Sequence, residues 1–189
     1  YFELHREVVK LAGALATLGV RAGDRVVIYM GMVPEVVIGM LACARLGAVH
    51  SVVFGGFAAE ALRDRINDCG AKIVLTQDGA WRRGNVVPMK ATVDKAVAET
   101  KSVEKVLVLR RLGPEHATIT MTAGRDIFWE AAIAARDKTL GVAPTIVDGE
   151  HPLFVLYTSG STGKPKGVMH TTAGYLTGVH VSVKYVFDI

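Results

Sequence analysis

Cysteine is scarce: Cys43 and Cys69 are the only two in the 189 residues. Both sit in apolar, helix-like surroundings and lack metal-ligand or disulfide spacing, which excludes a disulfide scaffold and a cysteine-based metal site. Buried free thiols in a reducing cytosol are the expected arrangement. Membrane-spanning runs are missing too. The apolar stretch 26–34 is broken by Glu35 and the stretch 36–44 ends at Arg45, both far short of the roughly 20 residues a bilayer requires. The opening residues do not read as a secretory leader. We therefore expect a soluble, cytoplasmic protein with no membrane partner. A strong excess of one charge is also lacking: 22 Lys and Arg against 18 Asp and Glu give a mild net charge of +4. Basic residues are scattered apart from the pairs Arg82-Arg83 and Arg110-Arg111, so nucleic acid is not an expected partner. No repeat or low-complexity tract is found. Nothing in the sequence specifies an oligomeric state.

What is present is apolar material in ordered alternation. Half the residues are hydrophobic and the mean hydropathy is +0.32, enough for one sizeable core. Leu4, Val8, Leu11, Leu15 and Leu18 form the stripe of an amphipathic helix, stopped by Gly19. A fully apolar strand follows over 26–30. Pro34 then opens a helix over 35–46, apolar nearly all round and ended by Gly47. Further strands are expected over 49–54, 72–75, 106–109 and 153–157, with a short one over 168–170. Helices are expected over 58–68, 93–100, 128–136 and 173–184, and residues 113–125 read as an irregular connection. Strands apolar on both faces, alternating with helices, predict an α/β fold with a mostly parallel sheet covered on both sides.

One loop stands out chemically. After the apolar run 153–156 come Tyr157, Thr158, Ser159, Gly160, Ser161, Thr162, Gly163, Lys164, Pro165, Lys166 and Gly167. Glycines let the backbone turn its N–H groups toward a polyanion, hydroxyls add donors, and lysines add positive charge. A polar Gly/Ser turn would carry some of these features, but eleven ordered positions directly after a strand point to nucleotide phosphates. The loop is not a Walker motif, because Pro165 follows Lys164 where that motif requires Ser or Thr.

Two weaker signals lie upstream. Phe54, Gly55, Gly56 and Phe57 end a strand before a helix, where ligands of open α/β sheets gather. Taken alone they read as a tight turn, and the full G-x-G-x-x-G pattern is missing. Arg82, Arg83, Gly84 and Asn85 follow Trp81 in what reads as a loop. Two guanidiniums beside a glycine suit a phosphate, although an isolated pair reads as a solvated face. The histidines lack ligand spacing and Cys43 lacks a base, so both are read as packing residues. Phe128 and Trp129 are read as helix anchors.

Taken together these segments resemble the adenylate-forming superfamily of acyl-CoA synthetases, luciferases and peptide-synthetase adenylation domains. The run from Met40 to Phe57, the segment Glu60 to Ile66 and the stretch Tyr157 to Thr172 look like its AMP-forming, short-chain acetyl-CoA synthetase branch. The resemblance covers essentially the whole chain and is weakest over 112–148. It implies that residues 1–189 are part of the large N-terminal adenylation domain, the small C-terminal domain lying elsewhere. It implies an acetate–CoA ligase that uses ATP, CoA and Mg²⁺ through an acetyl-AMP intermediate, with propionyl-CoA or other short-chain ligases, or a non-catalytic nucleotide-binding homologue, as the alternatives. Residues Thr158, Ser159, Gly160, Ser161, Thr162, Gly163, Lys164 and Lys166 would hold the ATP phosphates. The CoA nucleotide would lie against Phe54, Gly55 and Gly56 and the loop of Arg82, Arg83, Gly84 and Asn85, with Val87 as an apolar contact. The family's loop has a second arginine where this sequence has Asn85. No bond-making residue and no Mg²⁺ ligand is assigned within 1–189, and this stretch alone is expected to be inactive.

Overall fold

The computed structural model describes residues 1–137, 143–158 and 165–188. Helix α1 (Phe2–Thr17) leads into strand β1 (Arg25–Met30), helix α2 (Pro34–Leu46), strand β2 (Val49–Phe54), helix α3 (Ala59–Cys69) and strand β3 (Ile73–Gln77). Two short strands, β4 (Ala80–Arg82) and β5 (Asn85–Val87), precede helix α4 (Met89–Val97) and strand β6 (Lys105–Leu109). Then come β7 (Asp126–Phe128), α5 (Trp129–Ala135), β8 (Pro152–Thr158), β9 (Lys166–Thr171) and α6 (Thr172–Ser182), which runs into a π-helical turn, Val183–Phe187.

Among the described residues seven strands form one sheet in the order β7-β6-β3-β1-β2-β8-β9. Every pair in it is parallel except β8 with β9. The α/β expectation with a mostly parallel sheet therefore holds. Along β1 the side chains alternate between two cores, as the pleat requires. Val26, Ile28 and Met30 pack with Leu11, Leu15, Cys43 and Leu107 on one face. Val27 and Tyr29 pack with Leu62, Ile66, Met89 and Val93 on the other. Covering both faces is what makes the strand fully apolar. In α2, Gly39 brings the helix backbone down onto the sheet, since a Cβ there would stand 3.0 Å from Leu75 Cδ1 and 3.2 Å from Ile28 Cδ1.

Several boundaries differ from expectation, each for a physical reason. Helix α4 starts four residues earlier than the apolar pattern indicated, because Lys90 occupies a buried position on its inner face. Its ammonium bonds Asp94 at 2.7 Å, Asp126 at 2.8 Å and the Thr120 carbonyl at 2.9 Å, which satisfies the charge in the interior. The Arg82 to Asn85 segment is a β-hairpin and not a loop. Strand β7 is only three residues long at the sheet edge and gives no alternation to read. Cys43 is buried as expected, and burial pushes its thiol up to about 12. Cys69 is only half-buried, at the C-terminal end of α3.

Candidate nucleotide and thiol-cofactor site

The parallel strands deliver the marked residues to one end of the sheet. Strand β2 runs straight into the turn at Phe54, Gly55 and Gly56. Strand β8 pairs with β2 through His50 and Phe154. Four residues farther on, in the same direction, β2 reaches Phe54 and β8 reaches Thr158. The two motifs therefore emerge side by side from the carboxyl end, where ligands of such sheets bind. Thr158 then pairs with Lys166 across the β8–β9 ladder, closing the loop at its base. Ser159, Gly160, Ser161, Thr162, Gly163 and Lys164 lie outside the described residues.

The turn after β2 is tightly built. The buried Tyr29 hydroxyl donates to the carbonyls of Phe57 at 2.8 Å and Gly55 at 3.3 Å. Burial pushes that hydroxyl's pKa up, so it stays protonated and donates. A Cβ on Gly55 would stand 2.8 Å from Met89 Cε and 2.9 Å from the Met30 carbonyl oxygen. One on Gly56 would run into the Arg82 guanidinium and the Phe54 ring. Neither position has room for a side chain, so both glycines follow from close approach and not from backbone conformation.

Arg82 comes from the hairpin. Ala80 pairs with Val87, Trp81 with Val86 and Arg82 with Asn85. The two turn residues Arg83 and Gly84 have φ of +50° and +79°, the signature of the tight two-residue turn whose twist matches the strands. This geometry aims Arg82 back across the sheet end, and its guanidinium lies 5.0 Å from the Phe54 ring centroid. Asn85 donates to the Arg83 carbonyl at 3.4 Å, and Val87 packs against the α3–α4 core. Trp81, over half exposed, meets His116 edge-on at 5.4 Å.

The structure thus brings the glycine turn and Arg82 into contact and leaves Arg83 at the exposed hairpin tip. The base of the hairpin is fixed by a residue that the sequence reading overlooked. The buried Asp78 carboxylate accepts the N–H groups of Gly79, Arg111, Leu112 and Gly113 at 2.7–3.1 Å. An aspartate ending an apolar strand just before a glycine is the signal that marks it.

The family model described as AMP-binding enzyme matches residues 1–188. The chain belongs to that family. Acetyl-coenzyme A synthetases of Gemmatimonas aurantiaca and Chlorobaculum tepidum are each 54% identical to it over its whole length. The chain spans only 29% and 28% of those two relatives. Acetoacetyl-CoA synthetase from Streptomyces lividans shares its architecture, with a TM-score of 0.87 and 31% identity over 99% of this chain and 28% of that one.

Within this AMP-binding frame, further groups meet only in the folded chain. Arg65 of α3 is buried, and its guanidinium carbon sits 4.6 Å from the Phe57 ring centroid and 5.5 Å from that of Tyr157. Tyr157 in turn donates to Asp68 at 2.6 Å, and burial together with that bond pushes its hydroxyl's pKa up. His50 is buried with no partner for Nδ1, and burial lowers its pKa to about 4. That environment holds it as a neutral packing residue. Among the described residues no group of three His, Cys, Asp or Glu side chains is placed to hold a metal. None of the described helices is long and apolar enough to cross a membrane.

Proposed function

We propose that this chain is part of the large N-terminal adenylation domain of a cytoplasmic acetate–CoA ligase. The observation that carries the reading is the convergence of three segments at one sheet end: the 54–56 turn, Arg82 and the base of the 158–166 loop. Identity above one half to acetyl-coenzyme A synthetases along the whole chain supports acetate as the acid. The exposed apolar residues Met169, Tyr175, Leu176 and Val179 on β9 and α6 support a larger parent domain that covers them.

A carboxylate resists attack by a thiol, so a leaving group has to be installed first. In the proposed sequence an acetate oxygen attacks the α-phosphorus of ATP, and the bond to the β-phosphate oxygen breaks to release pyrophosphate. The CoA sulfur then attacks the acyl carbon, the carbon–oxygen bond to AMP breaks, and the thiol proton is lost. The residues of this chain contribute position and charge. Thr158, Ser159, Gly160, Ser161, Thr162, Gly163, Lys164 and Lys166 would hold and neutralise the departing phosphates. Phe54, Gly55, Gly56 and Val87 would form the apolar rest for the CoA nucleotide, with Arg82 as its phosphate clamp. Arg83, Gly84 and Asn85 would complete the grip.

The test is acetate-dependent exchange of labelled pyrophosphate into ATP by the full-length protein without CoA, followed by acetyl-CoA formation on adding CoA. Exchange without thioester formation would leave an adenylating protein but not a CoA ligase.

A further inference from the structure

We propose that Arg65 is a positioning residue for the thiol-transfer half of the reaction, holding the 54–57 turn in fixed relation to strand β8. The inference rests on the proposed CoA site. Arg65 is only 7% exposed. Its Nη1 donates to the Ala61 carbonyl at 2.6 Å, and no carboxylate stands within ion-pair distance of it among the described residues. A buried cation without a counter-ion is an expensive way to fill space, and an apolar residue of similar size would pack there without that cost. What the guanidinium does instead is lie against two rings from different segments, Phe57 at the end of the turn and Tyr157 at the end of β8. A planar cation favours aromatic faces, more so when desolvated.

The second anchor lies on the same helix face. Asp68, three residues on from Arg65, accepts the Tyr157 hydroxyl at 2.6 Å. Helix α3 therefore grips β8 through Asp68 and reaches the turn through Arg65. Tyr29 fixes the turn's backbone carbonyls from the sheet side, whereas Arg65 holds the Phe57 ring. Because Phe54 and Phe57 meet edge-on at 5.6 Å, the setting of Phe57 passes to the ring on which Arg82 rests.

The experiment uses the full-length protein and compares CoA binding by calorimetry with acetate-dependent pyrophosphate exchange in the absence of CoA. Arg65→Lys keeps the charge and loses the planar face; Phe57→Leu keeps apolar bulk and loses the ring. Each is expected to weaken CoA binding roughly tenfold, with exchange within about twofold of wild type. The double variant is expected to bind CoA no more weakly than the worse single one, since both remove the same contact. Phe57→Tyr, which retains the face, should restore most of the affinity. Unchanged CoA binding in Arg65→Lys, strict additivity, or equal damage to both half-reactions would overturn the proposal. If Arg65→Lys does not fold, intact CoA affinity in Phe57→Leu overturns it alone. A wild-type protein that fails to bind CoA refutes the proposed function and this inference together, whereas CoA binding indifferent to all these variants refutes only the inference.

Discussion

The guanidinium of Arg82 rests over the ring of Phe54, 5.0 Å from its centroid, and occupies the space that a side chain on Gly56 would need. A hairpin after β3 and a turn after β2 thereby share one surface. The contact separates the roles of the two neighbouring glycines. At Gly56 the obstruction is the end of a flexible arginine and the edge of the exposed Phe54 ring, both side chains, whereas at Gly55 it includes the Met30 backbone carbonyl, which cannot swing away. We predict that Gly55→Ala destabilises the fold by about 1–3 kcal/mol, the usual cost of overpacking. Gly56→Ala should leave stability within about 1 kcal/mol and raise the KM for CoA by displacing Arg82. Urea unfolding together with CoA kinetics distinguishes them; equal loss of stability in both would show that Arg82 is held rigidly.

Hairpin geometry changes how its charges should be tested. Arg83 adopts a left-handed backbone conformation that asparagine tolerates well. Arg83→Asn therefore removes the charge and spares the turn. Arg82→Ala is expected to raise the KM for CoA with pyrophosphate exchange nearly intact, and Asn85→Arg to lower it. A large loss of CoA affinity in Arg83→Asn, with Arg82→Ala silent, would transfer the clamp to the hairpin tip.

Lys90 is fully buried against Asp94 and Asp126, and Arg125 bonds both carboxylates. Removing the ammonium leaves buried negative charge short of its partner. Lys90→Met is expected to cost about 3–5 kcal/mol, read as a lowered urea midpoint at unchanged slope. A neutral outcome would mean that Arg125 alone compensates both aspartates.

Much of the frame is legible in the sequence because both-face burial makes 26–30 of β1 and 73–75 of β3 continuous apolar runs, and because Pro34 and Gly47 punctuate α2. What escaped reading includes polar residues in places unusual for their type. Lys90 hid the first turn of α4, Asp78 lies just past the apolar run of β3, and Arg83 stands where a hairpin turn usually shows Asn or Asp. Arg65 carries no signal of its own in the sequence, since its aromatic partners Phe57 and Tyr157 come from other segments. The phosphate loop was recognised by composition and order, and the glycine turn joined it only through the parallel register of β2 and β8.

His50 provides a pH signature. Burial lowers its pKa from 6.5 to about 4, so the unfolded chain binds a proton that the folded one refuses between those values. Folding stability contributed by the neutral ring is fully present above about pH 6.5 and declines as pH falls toward 4, by at most about 1.4 kcal/mol per pH unit. Chemical denaturation at intervals from pH 7.5 to 4.5 should show this slope in wild type and a shallower one in His50→Gln. Parallel curves for the two proteins would show that another group is responsible.

The proposed function requires the loop between β8 and β9 to grip the phosphates of ATP while acetate is adenylated. Pyrophosphate exchange in the full-length protein, without CoA, measures that step directly. Exchange is expected to require acetate and to fall by about one to two decades in Lys164→Ala, the loss of one charge-assisted phosphate contact. A folded protein that shows no acetate-dependent exchange, or a Lys164→Ala variant that exchanges at the wild-type rate, would contradict it.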